Sequence, residues 1–212
     1  MTTEQLIGAI EDPMVRELAQ RGQTRTFPKN AVIINEGDRG DSLYVILAGR
    51  VKVYVSDDDG REMILDTHGP GDYVGEMSLD GRPRSASVMT LEPVTCAVVT
   101  RDELRAAVAH NPDVAMALIS TLIDRARIAT DNVKNLALMD VYGRVARLLL
   151  SLAKEEGGKL VVPEKMTQQD IADRVGASRD MISRIFKDLT VGGYVTIDNR
   201  QITINRKPPA RW

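Results

Sequence analysis

A run of about 27 residues that ends at Met139 contains neither glycine nor proline, and its apolar residues recur at spacings of three and four. That period is typical of a helix. At 1.5 Å per residue such a helix is roughly 40 Å long, more than a small domain can cover. Its apolar seam consists of Ile119, Leu122, Ala126, Ala129, Val133 and Leu136. A heptad seam of this length favours a partner helix, and we predict a parallel homodimer formed through residues 112–139.

The chain before this helix has the pattern of a β structure. Residues 3–20 are predicted to form short helices, and residues 24–99 are predicted to form strands. Gly- and Asp-rich turns separate short runs of branched residues at 31–35, 43–47, 51–55, 63–65, 85–89 and 94–99. Within 51–55 the valines are predicted to face inward, whereas Lys52 and Tyr54 face water. Evenly spaced short strands favour a small antiparallel roll or barrel.

Composition excludes several classes of protein. The chain has 212 residues, enough for one large or two small domains. Because no apolar run approaches the ~20 residues of a membrane span and the N-terminus lacks a signal pattern, we predict a cytoplasmic protein without a membrane partner. The single cysteine, Cys96, excludes an internal disulfide and a multi-cysteine metal cluster. His68 and His110 have no partner pattern, so we predict no metal site, no catalytic residue or catalytic cofactor, and no enzymatic activity.

The segment from Gly75 to Ser85 carries the groups of an anion site. A turn after the glycine exposes backbone N–H groups, Arg84 supplies a guanidinium fork and Ser85 a hydroxyl, which together satisfy a phosphodiester. Glu76 repels a phosphate unless a neutral donor lies between them, and a ribose hydroxyl fills that role. We therefore predict a nucleotide site formed by Gly75, Glu76, Met77, Arg84 and Ser85.

These residues resemble the phosphate-binding cassette of cyclic-nucleotide-binding domains. The resemblance implies that Gly75 and Glu76 hold the ribose 2′-hydroxyl and that Arg84 and Ser85 hold the cyclic phosphate. The glycine-punctuated segment 37–54 also resembles the roll of that family.

Two departures from the family affect the predicted effector. In the best-known member, which responds to cyclic AMP, a Thr-Ser pair on the long helix contacts the base, at positions that are Ala129 and Thr130 here. The resemblance implies that Thr130 reaches the ligand from the opposite subunit, whereas Ala129 has lost its hydroxyl. The cassette is also shorter between Gly75 and Arg84. Cyclic AMP is the predicted effector, and cyclic di-GMP is the alternative, with Arg82 as a second guanidinium.

A boundary is predicted at Asp140, after the long helix. The aspartate is a good N-cap for a helix over residues 141–154, which carries an apolar stripe. Residues 155–158 are predicted to close that helix with a loop. Asp140 is therefore also a predicted hinge.

A helix-turn-helix pattern follows. Thr167 begins a capping box at the start of a short helix, and Ser178 caps a longer helix over 179–189. Gly176 lies in the tight turn between them. Two alternating runs within 194–204 are predicted to form a hairpin, or wing.

The exposed face of the second helix carries groups that can read DNA. Arginine binds guanine with two hydrogen bonds, a carboxylate accepts from the cytosine amino group, and hydroxyls bind phosphates. Between Lys165 and Trp212 nine basic residues stand against five acidic ones, although the whole chain has a net charge of −2. We predict contacts with double-stranded promoter DNA from Thr167, Gln169, Ser178, Arg179, Asp180, Ser183 and Arg184.

The order of roll, long helix and winged helix-turn-helix resembles the Crp/Fnr superfamily of bacterial transcription regulators across nearly the whole chain. Ser178, Arg179 and Arg184 match the recognition pattern of that family. Asp180 replaces its glutamate, and Gln168 replaces an arginine that binds phosphate in the family.

The predicted fold class is therefore α+β. An N-terminal antiparallel β-roll of the cyclic-nucleotide-binding type is predicted at 1–110, a long dimerisation helix at 111–139 and a winged helix-turn-helix domain at 140–212. The resemblance implies a homodimeric, DNA-binding transcription regulator controlled by a nucleotide effector, with RNA polymerase as a further partner. Two alternatives stay open: a nucleotide-sensing module without DNA function, and a ligand-independent DNA-binding regulator whose roll is structural.

Overall fold

The computed structural model describes residues 1–208. Contacts between residues divide the chain into two units. The first comprises Met1–Ser56 and Ile64–Ala126, and the second comprises Asp57–Met63 and the chain from Arg127 onward. The domain boundaries proposed near residues 110 and 139 stay predictions.

The first unit begins with two short helices, α1 (Thr3–Gly8) and α2 (Pro13–Arg21), which match the range predicted from the apolar spacing to within one residue. Asp12 caps α2, and its carboxylate accepts hydrogen bonds from the backbone N–H groups of Met14 and Val15. Proline suits the first helical position because its missing N–H would have no partner there.

Eight strands follow: β1 (Gln23–Phe27), β2 (Val32–Ile34), β3 (Ser42–Ala48), β4 (Val51–Ser56), β5 (Glu62–His68), β6 (Tyr73–Val74), β7 (Ser87–Thr90) and β8 (Val94–Thr100). A 3₁₀ turn, Glu76–Asp80, lies between β6 and β7. The strands form two four-stranded sheets in the orders β1-β8-β3-β6 and β2-β7-β4-β5. The registers found in both sheets are antiparallel, which confirms the predicted roll.

Buried apolar side chains of the first unit form two clusters, one between the two sheets and one between the first sheet and the helices. One buried cluster contains residues of both sheets and includes Ile34, Ile46 and Val88. A second cluster lies on the other side of the first sheet, where Leu43 and Val45 of β3 pack with residues of the helices. Successive side chains of a strand point to opposite faces, so β3 contributes to both clusters.

Three details of the strands differ from the sequence prediction. β1 and β6 lie outside the predicted runs, because their sequences are too polar or too short to show alternation. β7 begins at Ser87 rather than at residue 85, because the main chain of Arg84 is bonded to the loop before β3. Tyr54 is buried rather than exposed, and the Lys52 ammonium lies 4.6 Å from its ring centroid.

Two helices follow the roll, α3 (Arg101–His110) and α4 (Asp113–Leu138). The long helix confirms the predicted one to within a residue or two at each end. Its seam is uncovered in the single chain: Leu122 is 42% exposed and Val133 is 66% exposed. Val114 is the buried apolar residue of α4. Exposed apolar surface of this extent favours an interaction with another surface.

The second unit has its own core. It contains α5 (Val141–Leu152), β9 (Lys154–Glu156), β10 (Lys159–Val162), α6 (Gln168–Val175), α7 (Arg179–Val191), β11 (Val195–Asp198) and β12 (Gln201–Ile204). The strands form a sheet in the order β11-β12-β10-β9. The hairpin of β11 and β12 is the predicted wing, and its two turn residues, Asn199 and Arg200, both have positive φ angles. Such angles match the right-handed twist of the paired strands.

The helix predicted at 141–154 ends earlier than expected, at Leu152. Ala153 has an extended backbone, with φ −68° and ψ 139°. The prediction of a loop at 155–158 is wrong at its start, because Lys154–Glu156 pairs antiparallel with Lys159 to Val161. Gly157 and Gly158, both at positive φ, form the turn of this hairpin. The cap prediction at Asp140 is confirmed, since its carboxylate accepts from Gly143 N at 2.7 Å.

Among residues 1–208, no single helix is long and apolar enough to cross a membrane. The pair α3 and α4 passes that test only together, and the two helices are bent by 117° at the break between them.

Candidate ligand site and nucleic-acid interface

Arg84 is held inside the roll by main-chain groups. Its side chain Nη1 donates to Gly75 O at 2.6 Å and its Nη2 donates to Ser42 O at 2.9 Å. Its own backbone N–H donates to Asp38 O at 2.8 Å. The residue is only 8% exposed. The guanidinium is therefore fixed between the loop at 38–42 and the cassette at 75–84.

Burial lowers the pKa of the Arg84 guanidinium, and the nearby groups of Tyr44, Asp41 and Glu76 oppose that shift. Arginine nevertheless stays protonated in proteins. A fixed, partly desolvated cation attracts an anion more strongly than an exposed one does, because water screens it less.

Glycine is required at two positions beside this guanidinium. Gly75 has a φ of +90°, and a Cβ built there would lie 2.6 Å from Arg84 Nη1 and 3.0 Å from Ser42 O. A Cβ at Gly40 would likewise lie 2.6 Å from Arg84 Nη2. The close approach of main chain to guanidinium thus depends on the absence of side chains.

Glu76 forms an ion pair with Arg125 of α4. Arg125 Nη1 lies 2.7 Å from Glu76 Oε1, and the two side chains are 20% and 12% exposed. Arg125 Nη2 also donates to Tyr73 O at 2.5 Å. The carboxylate proposed to meet a ribose is therefore held in place by the long helix.

Ser85 and Met77 lie at the exposed side of the cassette. The Ser85 hydroxyl donates to Met77 Sδ at 3.2 Å, and the methionine side chain is 62% exposed. A thioether is a weak hydrogen-bond acceptor. The Ser85 hydroxyl can therefore leave Met77 Sδ for a stronger acceptor at little cost in free energy. The structure brings Gly75, Glu76, Met77, Arg84 and Ser85 into one neighbourhood.

Thr130, the sixth residue of the predicted ligand set, lies in the part of α4 that belongs to the second unit. Its side chain is exposed. Its role at the ligand stays a prediction.

The predicted DNA-binding residues lie on and before α6 and α7. On α7 the apolar stripe of Ile182, Ile185, Phe186 and Leu189 is buried, as its spacing predicts. The opposite face carries the exposed residues Arg179, Asp180, Ser183 and Arg184. A helix with one buried face and one polar, exposed face can enter a DNA groove.

Two of the predicted DNA-binding residues serve as helix caps. The Thr167 hydroxyl accepts from Asp170 N at 3.1 Å and the Thr167 backbone N–H donates to the Asp170 carboxylate at 2.7 Å, forming the predicted capping box. The Ser178 hydroxyl accepts from Met181 N at 3.2 Å. Gly176 ends α6 in the left-handed conformation, with φ 62° and ψ 54°. These local bonds fix the orientation of the two helices.

A groove of about 460 Å³ joins part of the predicted DNA set to the wing. Thr167, Gln169 and Arg179 line it, together with Ile197 and Arg200 of the β11–β12 hairpin. Asp180, Ser183 and Arg184 lie outside this lining. The amide of Gln169 donates to the Asp173 carboxylate at 2.6 Å, which orients it along α6.

Sequence reasoning missed Arg125, Tyr73 and Ser42. Arg125 has the residue type of a solvated charge on a long helix, and only its pairing with Glu76 distinguishes it. Ser42 acts through its main-chain carbonyl, for which the side chain gives no signal. The spacing of Arg125 from Ile119 and Leu122 indicates that it lies on a helix face next to the seam. The spacing does not indicate that Glu76 is the partner of Arg125.

Cys96 is buried in β8, as its apolar strand predicts. Burial raises the pKa of the Cys96 thiol to about 12, so the thiol is inert. Within residues 1–208, no group of three or more His, Cys, Asp or Glu side chains is arranged to hold a metal ion.

The two units match two known families. Residues 24–111 match the cyclic nucleotide-binding domain, and residues 143–208 match the Crp-like helix-turn-helix domain. Over 201 residues the chain is 35% identical to a CRP-like cAMP-activated global transcriptional regulator of Mycobacterium tuberculosis, covering 92% of this chain and 90% of that protein. It is 32% identical over 199 residues to the cAMP-activated global transcriptional regulator CRP of Salmonella typhimurium, covering 91% of this chain and 94% of that protein.

A solved structure is also similar along most of the chain. The c-di-GMP responsive global regulator CLP of Xanthomonas campestris has a TM-score of 0.80 at 25% identity, covering 90% of this chain and 97% of that one. The chain therefore belongs to the Crp/Fnr family of transcription regulators, with a cyclic nucleotide-binding domain and a DNA-binding helix-turn-helix.

Proposed function

We propose that this regulator is a homodimer whose binding to promoter DNA is controlled by cyclic AMP. The observation that carries the proposal is the pair of fixed charges in the cassette. Arg84 is buried and held by two carbonyls, and Glu76 is held by Arg125. A cyclic phosphate pairs with the first and a ribose 2′-hydroxyl donates to the second.

Two relatives of the chain support cyclic AMP as the effector, since both are described as cAMP-activated at 35% and 32% identity. Cyclic di-GMP is the second candidate, because the regulator of Xanthomonas campestris is described as responsive to it. A second guanidinium for that ligand would be Arg82. Arg82 is 84% exposed and pairs with Asp80, so it contributes less to binding than a buried arginine does.

The uncovered seam of α4 supports the homodimer. Ile119, Leu122 and Val133 are 46%, 42% and 66% exposed, and they recur at the heptad spacing of a two-stranded coiled coil. Thr130 of one subunit is proposed to reach the nucleotide of the other. Ala129 lacks a hydroxyl for the base, so base selectivity is expected to be weaker by roughly tenfold, the effect of one lost hydrogen bond.

The proposed mechanism is a two-state dimer biased by its ligand. Nucleotide bound to the cassette and to Thr130 favours one arrangement of the α4 pair. The Asp140 cap, where α5 begins, acts as the hinge. The hinge then sets two recognition helices about 34 Å apart, one DNA turn. Arg179, Asp180, Ser183 and Arg184 read the operator, Gln169, Thr167 and Ser178 bind phosphates, and the complex acts in the cytoplasm with RNA polymerase.

Calorimetric titration tests the effector. The full-length protein is titrated with cyclic AMP, cyclic GMP and cyclic di-GMP, and each titration is repeated with Arg84→Ala and with Arg82→Ala as the matched control. We expect micromolar or tighter binding of cyclic AMP to the wild type and to Arg82→Ala, and a loss of at least about 100-fold in Arg84→Ala because a charge-assisted pair disappears.

Each contrary result selects another function. Tight binding of cyclic di-GMP alone, weakened in both arginine variants, assigns the dinucleotide. Silence of all three nucleotides, combined with operator binding by fluorescence anisotropy, identifies a ligand-independent regulator with a structural roll. Nucleotide binding without operator binding identifies a sensing module without DNA function.

A further inference from the structure

Tyr73 lies between the cassette and the long helix. It belongs to β6, an edge strand that pairs with β3, and it precedes Gly75 by two residues. Its side chain is 2% exposed and lies in the cluster that also contains Leu18 and Val114. A buried phenol keeps a hydrogen-bond partner in almost every protein, since an unpaired one is costly.

The partners of this phenol are on α4. The Tyr73 hydroxyl donates to Leu118 O at 3.4 Å, and it also interacts with the Thr121 hydroxyl. The Arg125 guanidinium lies 4.8 Å from the centroid of the Tyr73 ring. Positions 118, 121 and 125 are three and four residues apart, so they form one face of the helix. One side chain of the roll thus touches α4 over two helical turns.

The hydroxyl can act as a donor at neutral pH. Burial raises the pKa of Tyr73, while Thr121 and Arg125 act in the opposite direction. The group therefore remains a neutral O–H and not a phenolate.

Arg125 connects this contact to the cassette. One of its nitrogens pairs with Glu76, and another donates to Tyr73 O. Arg125 pairs with Glu76 Oε1, and a ribose hydroxyl that donates to the same carboxylate shares its negative charge with Arg125 and so weakens the ion pair. Occupancy of the cassette therefore changes how strongly Arg125, and with it α4, is held against β6.

We infer that Tyr73 is a positioning residue through which occupancy of the cassette sets the position of α4. This inference rests on the proposed function, and it adds the residue that transmits the signal. The ring keeps the helix packed, and the Tyr73 hydroxyl fixes the position of α4 along its axis by donating to Leu118 O, beside the Thr121 hydroxyl, which itself donates to Ala117 O. Without the hydroxyl, the nucleotide binds but moves α4 less.

The test uses Tyr73→Phe, which keeps the ring and removes the hydroxyl. Tyr54→Phe is the matched control, because Tyr54 is a buried tyrosine of the other sheet. Three quantities are measured on full-length protein: the cyclic AMP dissociation constant, the factor by which cyclic AMP raises operator affinity, and amide hydrogen exchange of residues 114–126 without nucleotide. The dissociation constant shows whether the nucleotide still binds. The factor by which cyclic AMP raises operator affinity measures the coupling between the two sites, which does not change if Tyr73 only stabilises the fold.

For Tyr73→Phe we expect a dissociation constant within about threefold of the wild type, a coupling factor reduced about fivefold, and exchange in 118–125 accelerated about fivefold. Thr121→Val is expected to change coupling in the same direction, and the double variant is expected to add less than the sum of the two. Tyr54→Phe is expected to leave all three quantities unchanged.

A coupling factor in Tyr73→Phe within twofold of the wild type would overturn the inference, as would an equal loss in Tyr54→Phe. If the wild type binds no nucleotide, the proposed function fails and transmission through Tyr73 fails with it. If the wild type binds cyclic AMP but amide exchange in Tyr73→Phe equals that of the wild type, the contact itself is contradicted, and the proposed function still stands.

Discussion

The cassette around Arg84 and the recognition helix α7 differ in how they present an arginine to a ligand: one arginine is buried and fixed, and the other is exposed. Arg84 is 8% exposed and both of its terminal nitrogens are bonded to main-chain carbonyls, whereas Arg179 is exposed at the start of α7. The first is positioned before a ligand arrives. The second is free to adapt to a base edge, and it loses side-chain entropy on binding.

This difference has a physical basis in the two partners. A small nucleotide buries most of its surface, so its site gains from rigid groups whose desolvation is already complete. DNA is a large, hydrated polyanion that forms many weak contacts at once, and exposed basic side chains can form such contacts with its phosphates. Three predictions test the contrast, in order of decreasing effect.

The largest effect is expected at Gly75, where the cassette has no room for a side chain. In Gly75→Ala the new Cβ meets Arg84 Nη1 at 2.6 Å and Ser42 O at 3.0 Å, and the backbone is strained at φ +90°. We expect a stability loss of about 2 kcal/mol and a loss of cyclic AMP affinity of about 100-fold, measured by thermal unfolding and calorimetry.

Gly60→Ala is the matched control for this prediction. Gly60 also has a positive φ, +74°, but a Cβ there meets nothing within 4 Å. We expect the backbone strain alone, about 1 kcal/mol, with nucleotide affinity unchanged. Equal losses of affinity in both variants would show that backbone strain, and not the displaced guanidinium, weakens binding.

A smaller effect is expected at the exposed site. Arg179→Ala is expected to weaken operator binding by about 10- to 100-fold and to relax specificity at one base pair, without lowering the melting temperature. Anisotropy titrations with the operator and single-base variants measure it. Thr190→Ala, at the exposed far end of the same helix, is the control. A loss that is uniform over all sequences would assign Arg179 to the phosphate backbone instead.

The smallest effect concerns pH and the loop before the cassette. The side chain of His68 and the N–H of Gly69 lower the pKa of Asp72, and Arg125 adds to the shift. His68 Nδ1 lies 3.6 Å from Asp72 Oδ2, a distance at which a protonated imidazole forms an ion pair with the carboxylate. A carboxyl with a lowered pKa stabilises the fold above its unfolded value of about 3.9, and this contribution is lost as the pH falls through the folded value.

We therefore expect Asp72→Asn to lower the melting temperature slightly at pH 6, and we expect its difference from the wild type to shrink as the pH falls below about 3.9. Thermal unfolding at a series of pH values from 6 downward measures the difference between the two proteins. A difference that does not shrink as the pH falls would mean that the carboxylate charge is not its cause.

Sequence reasoning predicted the second unit more completely than the cassette. The caps at Asp140, Thr167 and Ser178 and the buried stripe of α7 were all correct. Each depends on residues three or four positions apart. The error at 153–158 arose because strand pairing with Lys159 to Val161 overrides the local helical pattern.

The sequence by itself determined the order of roll, long helix and winged helix-turn-helix, and it located Glu76 and Arg84 as charged residues of one cassette. Only the tertiary structure decided what holds those charges: Ser42 O, Gly75 O and Arg125. The reason is the separation along the sequence between the groups that interact. Caps and apolar stripes follow from neighbours within one helical turn, whereas a buried charge is stabilised by groups that only the complete fold brings within 3 Å.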